Sequence, residues 1–243
     1  MRNGESPRAL LFDLDGTLVD TAPDLARATN ALRRHHGLPA LPYPIIRAQV
    51  SNGGSALVTL ALGFAKDADG HDEARAFLLE AYGRSVAEES RVFSPLEELL
   101  AEWEADQRPW GIVTNKPRAF AGPLIEALGL VPGALLCADD LSVKKPDPAP
   151  LEEAARRLEA PAADCWYIGD HRRDMQAARA AGMTAVAVGY GYIEEGDDYR
   201  KWPADLWFDS AEALVAALNG ARQDGVSGAS WERNSLPVRC LDE

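Results

Sequence analysis

The chain has 243 residues, of which 47% are hydrophobic and 26% are charged, a composition that excludes a disordered or fibrous protein. It carries 25 lysine and arginine residues against 38 aspartate and glutamate residues, a net charge of −13, so we expect no nucleic-acid or membrane partner. The three widely spaced cysteines predict free thiols in a reducing, cytoplasmic compartment, and no apolar run is long enough to predict a signal peptide or a membrane span.

Short apolar runs alternate with segments of helical periodicity, which is typical of a parallel sheet. The predicted strands are residues 9–12, 110–113, 134–137, 165–168, 184–188 and 206–208. Helices are predicted at residues 95–106, 117–128, 148–158, 172–181 and 214–218. The fold class is therefore α/β, with a Rossmann-like parallel sheet that has helices on both faces.

The connection between the first two strands is much longer than the ~30 residues that a simple crossover needs. It contains three further predicted helices, at residues 22–36, 44–62 and 71–90. We predict an all-helical cap at residues 20–82, inserted into a core made of residues 1–19 and 83–220. Residues 221–243 are rich in Gly and Ser without periodicity and predict a flexible tail.

Two pairs of aspartates follow predicted strands. Asp13 and Asp15 come directly after the first strand, where alternate side chains share a side and can converge on one site. The other interpretation of Asp15 is a residue of an Asp-Gly turn. Asp170 and Asp174 follow the strand at residues 165–168 and would share a helix face. Asp170 as a helix cap would explain only one of these two carboxylates, so a hard cation such as Mg²⁺ is favoured.

Two further strand ends carry groups suited to phosphate. Thr114 and Asn115 precede a helix, where a hydroxyl, an amide and free backbone N–H groups can bind phosphate. The alternative is that one of the two side chains serves only as a helix cap. Lys145 lies in a loop stiffened by prolines, although lysine pairs are usually solvated surface. Four strand ends of one sheet meet at one edge, which predicts a single site.

The motifs DLDGT, VTNK, KKPDP and GDHRRD resemble the four motifs of the haloacid dehalogenase superfamily, over about residues 8–218. FDLDGTLVDTAPDL, VTNKP, VKKPDPAPL and AVGYGYI resemble its phosphoglycolate phosphatase branch. Within that branch, GYGYI with Trp202 and the segment SNGGSALV are most similar to the N-acetylmuramic acid 6-phosphate phosphatases.

The resemblance implies a Mg²⁺-dependent phosphatase that acts on a small phosphomonoester. Asp13 would be the nucleophile that forms an aspartyl phosphate, and Asp15 the general acid and base. Mg²⁺ would be held by Asp13, the Asp15 backbone carbonyl and Asp170, with Asp174 supporting from the outer shell. The implied phosphate-binding residues are Asp13, Gly16, Thr114, Asn115 and Lys145, the last preferred over Lys144 because it directly precedes the proline.

The predicted cap would select the substrate. Its loop with Ser51, Asn52 and Gly53 resembles the substrate loop of the family, and Arg47 either pairs with a substrate carboxylate or is exposed to solvent. Tyr192 and Trp202 are candidates for contacts at the rim. The candidate substrates are 2-phosphoglycolate and N-acetylmuramic acid 6-phosphate.

Two alternatives stay open at this point. A sugar phosphomutase of the same superfamily shares the four motifs, and a phospho-accepting signalling module also uses an aspartate, Mg²⁺, a threonine and a lysine on a parallel sheet. A signalling module is shorter, has no cap and has no need of Asp15 as a proton donor. The expected assembly is a monomer or a homodimer.

Overall fold

The computed structural model describes residues 6–227, with side chains described for residues 6–220. It contains a six-stranded parallel sheet and a short antiparallel ribbon. The strands are β1 (Ala9–Phe12), β2 (Val19–Asp20), β3 (Arg91–Val92), β4 (Trp110–Val113), β5 (Ala134–Leu136), β6 (Cys165–Gly169), β7 (Thr184–Val188) and β8 (Leu206–Phe208). The order in the sheet is β5-β4-β1-β6-β7-β8, which confirms the predicted α/β class.

Strand β1 lies at the centre of the sheet, between β4 and β6, and its apolar run is completely buried. Leu10 and Phe12 pack into one hydrophobic cluster, while Ala9 and Leu11 pack into another on the opposite face, as the alternation of strand side chains requires. Helices cover both faces. They are α5 (Leu96–Ala105), α6 (Arg118–Ala127) and α9 (Ala211–Ser227) on one face, and α7 (Ala149–Arg157) and α8 (Arg172–Ala180) on the other.

Four helices lie between β2 and β3: α1 (Ala22–His35), α2 (Tyr43–Arg47), α3 (Gly53–Leu62) and α4 (His71–Gly83). We call these the cap helices. Leu25, Leu57 and Leu78 of the cap helices belong to the same hydrophobic cluster as Phe12 of the sheet. Apolar packing therefore continues from the sheet into the cap helices.

Two of the helices predicted in this region are wrong in extent. The predicted helix at residues 44–62 is divided by a 3₁₀ turn at Val50–Asn52, and α3 begins at Gly53, whose φ of 80° favours glycine. The predicted helix at residues 71–90 ends at Gly83. Beyond it, the carboxylate of Asp24 accepts hydrogen bonds from the backbone of Glu89 and Ser90, which leads the chain into β3.

The last helix is longer than predicted. Helix α9 runs over Ala211–Ser227 rather than residues 214–218, so the start of the predicted tail is helical. Its buried Leu214 and Leu218 anchor the helix on the sheet, and good helix formers follow at residues 221–223. The rest of the predicted tail, residues 228–243, lies outside the described residues. Across residues 6–227, no helix has the length and apolar character of a membrane span.

Candidate active site

The predicted site residues of the core follow neighbouring strands. Asp13 follows β1, Thr114 follows β4 and Asp170 follows β6, and these three strands are adjacent in the sheet. Lys145 lies in the loop between β5 and α7. The carboxyl ends of the parallel strands thus bring the four sequence motifs to one edge, as expected for a ligand site in an open α/β sheet.

The centre of this edge is a cluster of three buried carboxylates, Asp13, Asp170 and Asp174. One ligand oxygen from each lies within 4.8 Å of the others, and the cluster could hold a metal ion. Burial, together with the nearby charges of Asp13 and Asp174, raises the pKa of Asp170 to about 7. Burial also raises the pKa of Asp13, although the charge of Lys145 opposes that shift.

Lys145 is the cation in contact with this cluster. Its Nζ lies 2.8 Å from Asp13 Oδ1 and 2.8 Å from Asp174 Oδ1, and it donates to Tyr167 Oη at 2.7 Å. Tyr167 in turn donates to the Val113 carbonyl at 2.8 Å. Burial lowers the pKa of Lys145, but the two carboxylate charges outweigh it and the net shift is upward. Lys145 therefore stays charged, and the solvated-surface interpretation is wrong.

The charges of the cluster test whether a divalent cation fits it. When all three carboxylates are ionised, the cluster and the ammonium group of Lys145 carry a net charge of −2 in a buried space, which a divalent cation would neutralise. The oxygen donors suit a hard cation such as Mg²⁺. The backbone at Gly16 and Gly191 also packs directly against the Asp170 side chain. A Cβ at either position would lie 2.2 Å from an atom of that side chain. The residues present fit a divalent metal.

Helix α8 is not capped by Asp170. The N-cap is His171, whose Nδ1 accepts from the Arg173 backbone N–H at 3.2 Å, while Asp174 Oδ2 accepts from the His171 N–H at 3.1 Å. This capping box satisfies the first turn of the helix. Asp170 is consequently left for the carboxylate cluster, where it accepts from the Tyr192 N–H at 2.8 Å.

Asp15 lies apart from the carboxylate cluster on the side of the cap helices. Its Oδ1 accepts from Thr21 Oγ1 at 2.5 Å and from Lys116 Nζ at 2.8 Å. The Lys116 side chain is only 8% exposed, and Nζ lies 4.6 Å from the centre of the Tyr82 ring. The charge of Asp15 raises the pKa of Lys116 despite its burial. Lys116 is not among the predicted site residues, although it follows Thr114 and Asn115, which are predicted to bind phosphate.

Thr114 and Asn115 have different partners. Thr114 Oγ1 accepts from the Lys116 N–H at 3.1 Å, and the hydroxyl is buried at the end of β4. The Asn115 side chain pairs with the backbone of Lys145, donating to its carbonyl at 2.9 Å and accepting from its N–H at 3.1 Å. Neither residue caps α6, whose N-cap is Pro117.

A cavity of about 100 Å³ lies between this edge and the cap helices. The core contributes the polar side chains of Asp13, Asp15, Thr114 and Asn115. On the other side lie Ser51, in the 3₁₀ turn before α3, and Gly53, the first residue of α3. Its apolar wall is formed by Leu25, Val50, Leu79, Tyr82 and Phe120. Two cationic side chains, Lys116 and Arg173, also line it.

The structure places two predicted substrate residues elsewhere. Arg47 donates to the carbonyls of Tyr190 and Gly191, both at 2.9 Å, and its guanidinium lies 4.8 Å from the centre of the Tyr192 ring. The side chain of Asn52 donates to Glu194 Oε1 at 2.5 Å. Both residues therefore join the cap helices to the core segment after β7 and do not line the cavity.

Tyr192 and Trp202 were expected at the rim, but both are buried. Tyr192 Oη accepts from the backbone N–H groups of Thr21 and Ala22 and donates to Asp20 Oδ1 at 2.7 Å. It thus holds the start of α1, where the chain enters the cap helices. Ser51 Oγ reaches Asp170 Oδ2 at 3.3 Å, so the cap loop touches the carboxylate cluster directly.

Comparison with known proteins identifies the family. The model of the haloacid dehalogenase-like hydrolases matches residues 7–182. The chain belongs to this family. In this hydrolase, the four motifs named in the sequence analysis are the ones that the structure gathers at one edge of the sheet.

Curated relatives of this haloacid dehalogenase-like hydrolase include two kinds of phosphatase. The chain is 40% identical over 216 residues to the N-acetylmuramic acid 6-phosphate phosphatase of Pseudomonas putida, covering 88% of this chain and 97% of that protein. It is 40% identical over 211 residues to the phosphoglycolate phosphatase of Xanthomonas campestris pv. campestris, covering 86% and 95%. A crystal structure of a predicted phosphoglycolate phosphatase from Haemophilus somnus 129pt matches with a TM-score of 0.76 and 25% identity, covering 87% and 98%.

Proposed function

We propose that this hydrolase is a Mg²⁺-dependent phosphatase that cleaves a small phosphomonoester through an aspartyl phosphate on Asp13. The observation that carries the proposal is the position of Asp13, a buried carboxylate that lines the cavity with Lys145 at 2.8 Å and two further carboxylates beside it. The names of the curated relatives support the same reaction class.

The metal would be held by Asp13, the Asp15 backbone carbonyl and Asp170, with Asp174 as a supporting carboxylate. When bound, Mg²⁺ supplies positive charge that offsets the repulsion between an anionic nucleophile and a phosphate. Asp174 also accepts from the His171 N–H, so its orientation is fixed by the start of α8. That arrangement suits a supporting role for Asp174.

Asp13 would attack phosphorus with a carboxylate oxygen as the bond from phosphorus to the substrate oxygen breaks. Lys145, which is held by Asp174 and Tyr167, would keep the nucleophile oriented and offset the charge of the transferring phosphoryl oxygens. Thr114 would add a hydroxyl donor to one of these oxygens. Asn115, which pairs with the backbone of Lys145, would keep the two loops together.

Asp15 would give its proton to the leaving alkoxide. It would then take a proton from the water that attacks the aspartyl phosphate, which breaks the bond between phosphorus and Asp13 and releases inorganic phosphate. Thr21 and Lys116 hold one oxygen of Asp15, and its other oxygen accepts no hydrogen bond from residues 6–220. The cap helices cover this space and would limit the entry of bulk water.

The candidate substrates are 2-phosphoglycolate and N-acetylmuramic acid 6-phosphate. Both are supported by relatives of equal identity, 40% in each case. A comparison of kcat/KM for the two compounds under the same conditions would decide between them.

Release of inorganic phosphate tests the proposed reaction. We expect steady turnover with Mg²⁺, reversible loss of activity with excess EDTA, and no detectable turnover in Asp13→Asn, because an amide cannot replace the nucleophile. Unchanged rates in EDTA would refute the metal assignment. A long-lived stoichiometric acyl phosphate would point to a signalling module, and transfer of phosphate between sugar hydroxyls would point to a mutase.

A further inference from the structure

Two cationic side chains line the cavity, and they differ in their partners. Lys116 forms an ion pair with Asp15 at 2.8 Å, so its charge is balanced by a residue of the chain. Arg173 donates to the backbone carbonyl of Ser51. Within residues 6–220, it has no aspartate or glutamate oxygen within 4.0 Å. The guanidinium of Arg173 therefore forms no direct ion pair with these residues, and its charge acts at longer range, where it opposes the upward shift in the pKa of Asp170.

Two other arginines, Arg172 and Arg47, differ from Arg173 in their partners and in their position relative to the cavity. Arg172, the preceding residue, is half-exposed and lies 3.7 Å from Asp197. Arg47, the residue predicted to bind a substrate carboxylate, donates to the carbonyls of Tyr190 and Gly191 outside the cavity. Of these three arginines, only Arg173 lines the space above Asp13.

A guanidinium has five N–H donors in a planar fork, and one bond to a carbonyl leaves most of them free. The remaining donors suit a carboxylate, which can accept two parallel hydrogen bonds. The phosphate end of a ligand would be held at Asp13 and Lys145, and Arg173 lines the same cavity as Asp13, so it can meet a second anionic group of that ligand.

We propose that Arg173 is the specificity-determining residue that binds a carboxylate of the substrate. This rests on the proposed phosphatase function and extends it to a substrate class, the phosphomonoesters of hydroxycarboxylic acids. Both candidate substrates belong to that class. The assignment moves carboxylate recognition from Arg47 on the cap helices to Arg173 on α8, one residue before Asp174.

Arg173 also contacts the cap loop, and the experiment must distinguish the loss of this contact from the loss of a contact with the substrate carboxylate. Because it donates to Ser51 of the cap loop, its loss would also weaken the contact between cap and core. That effect would slow every substrate by a similar factor. Loss of a carboxylate contact would slow only substrates that carry a carboxylate.

The experiment compares matched substrates. One pair is 2-phosphoglycolate and 2-hydroxyethyl phosphate; the other is N-acetylmuramic acid 6-phosphate and N-acetylglucosamine 6-phosphate, which lacks the lactyl group. For the pair that the wild type cleaves, we expect Arg173→Gln to lower kcat/KM for the carboxylate compound about 10- to 100-fold more than for its partner. Arg173→Lys should recover part of that difference, and the control Arg172→Gln should change neither value.

Equal losses on both members of a pair would overturn the assignment of Arg173. Wild-type turnover of p-nitrophenyl phosphate with no preference for either carboxylate compound would also overturn it while leaving the phosphatase function standing. No release of phosphate from any of the five compounds would instead refute the proposed function and, with it, this inference. Binding of 2-phosphoglycolate or N-acetylmuramic acid 6-phosphate to Asp13→Asn, by calorimetry with and without Arg173→Gln, gives a second measurement that does not depend on turnover.

Discussion

Asp15 is held through a single oxygen, which accepts hydrogen bonds from the side chains of Thr21 and Lys116. Lys116 is buried against Tyr82 and its charge has no carboxylate partner other than Asp15 among residues 6–220. A buried ammonium group with one carboxylate partner fixes the direction of that carboxylate. We therefore assign Lys116 a positioning role for the proposed general acid.

We expect Lys116→Met to lower kcat about 10- to 100-fold with little change in KM, because the loss concerns the orientation of Asp15 rather than phosphate binding. Lys116→Arg should recover part of the rate. In an Asp15→Asn background, Lys116→Met should cause little further loss, since the two residues act as one unit. Fully additive losses, measured in a double-mutant cycle of kcat, would show that Lys116 acts independently of Asp15.

The contact between α2 and the segment after β7 holds the cap helices on the core. Arg47 ends α2 and makes two hydrogen bonds to backbone carbonyls, in addition to its contact with the Tyr192 ring. Tyr192 itself holds the start of α1 and donates its N–H to Asp170. One core segment thus contacts α2, the start of α1 and the carboxylate cluster.

Arg47→Ala should lower kcat/KM about 30-fold, a loss of about 2 kcal/mol for two charge-assisted hydrogen bonds and a cation–π contact. The loss should be the same for a substrate with a carboxylate and for its neutral partner, because Arg47 does not line the cavity. Steady-state kinetics on the matched substrate pairs would check this. A larger loss for the carboxylate compound would return Arg47 to the role first predicted from the sequence.

The strands and the core site were predictable because both depend on local patterns. A run such as residues 9–12 is apolar throughout, and Asp13 follows it directly, so fold and site come from the same few residues. The partners of Arg47 and Arg173 were not predictable, because they lie 143 residues and 122 residues away along the chain. The division of the helix predicted at residues 44–62 depends on the positive φ of Gly53, which the helical periodicity of that segment conceals.

If the carboxylate cluster binds Mg²⁺ as proposed, metal binding and the stability of the whole protein depend on the same protonation state. The pKa of Asp170 is raised to about 7 by burial and by Asp13 and Asp174, above its unfolded value near 3.9. Between about pH 4 and 7, Asp170 is therefore protonated to a greater extent in the folded metal-free protein than in the unfolded chain. As a result, the contribution of Asp170 to the free energy of unfolding decreases as pH rises through this range. His171 acts in the opposite direction, because burial lowers its pKa to about 4. The opposite effects of Asp170 and His171 overlap when stability is measured without metal. The change in stability that Mg²⁺ causes distinguishes the contribution of Asp170 better.

At the proposed metal site Mg²⁺ would have to displace the proton from Asp170, so its binding should tighten as pH rises toward 7 and level off above that value. Each tenfold gain in affinity adds about 1.4 kcal/mol to stability at saturating Mg²⁺, or about 3–6 °C in Tm for a chain of this size. We therefore expect Mg²⁺ to raise Tm little at pH 5 and clearly more at pH 8, as measured by calorimetry. Asp170→Asn should weaken this pH dependence and leave only the part due to Asp13, whose pKa is also raised, whereas Arg172→Gln should keep it in full. An equal rise in Tm at both pH values would mean that Asp170 does not bind the metal as a carboxylate, and the ligand set proposed for the site would have to be replaced.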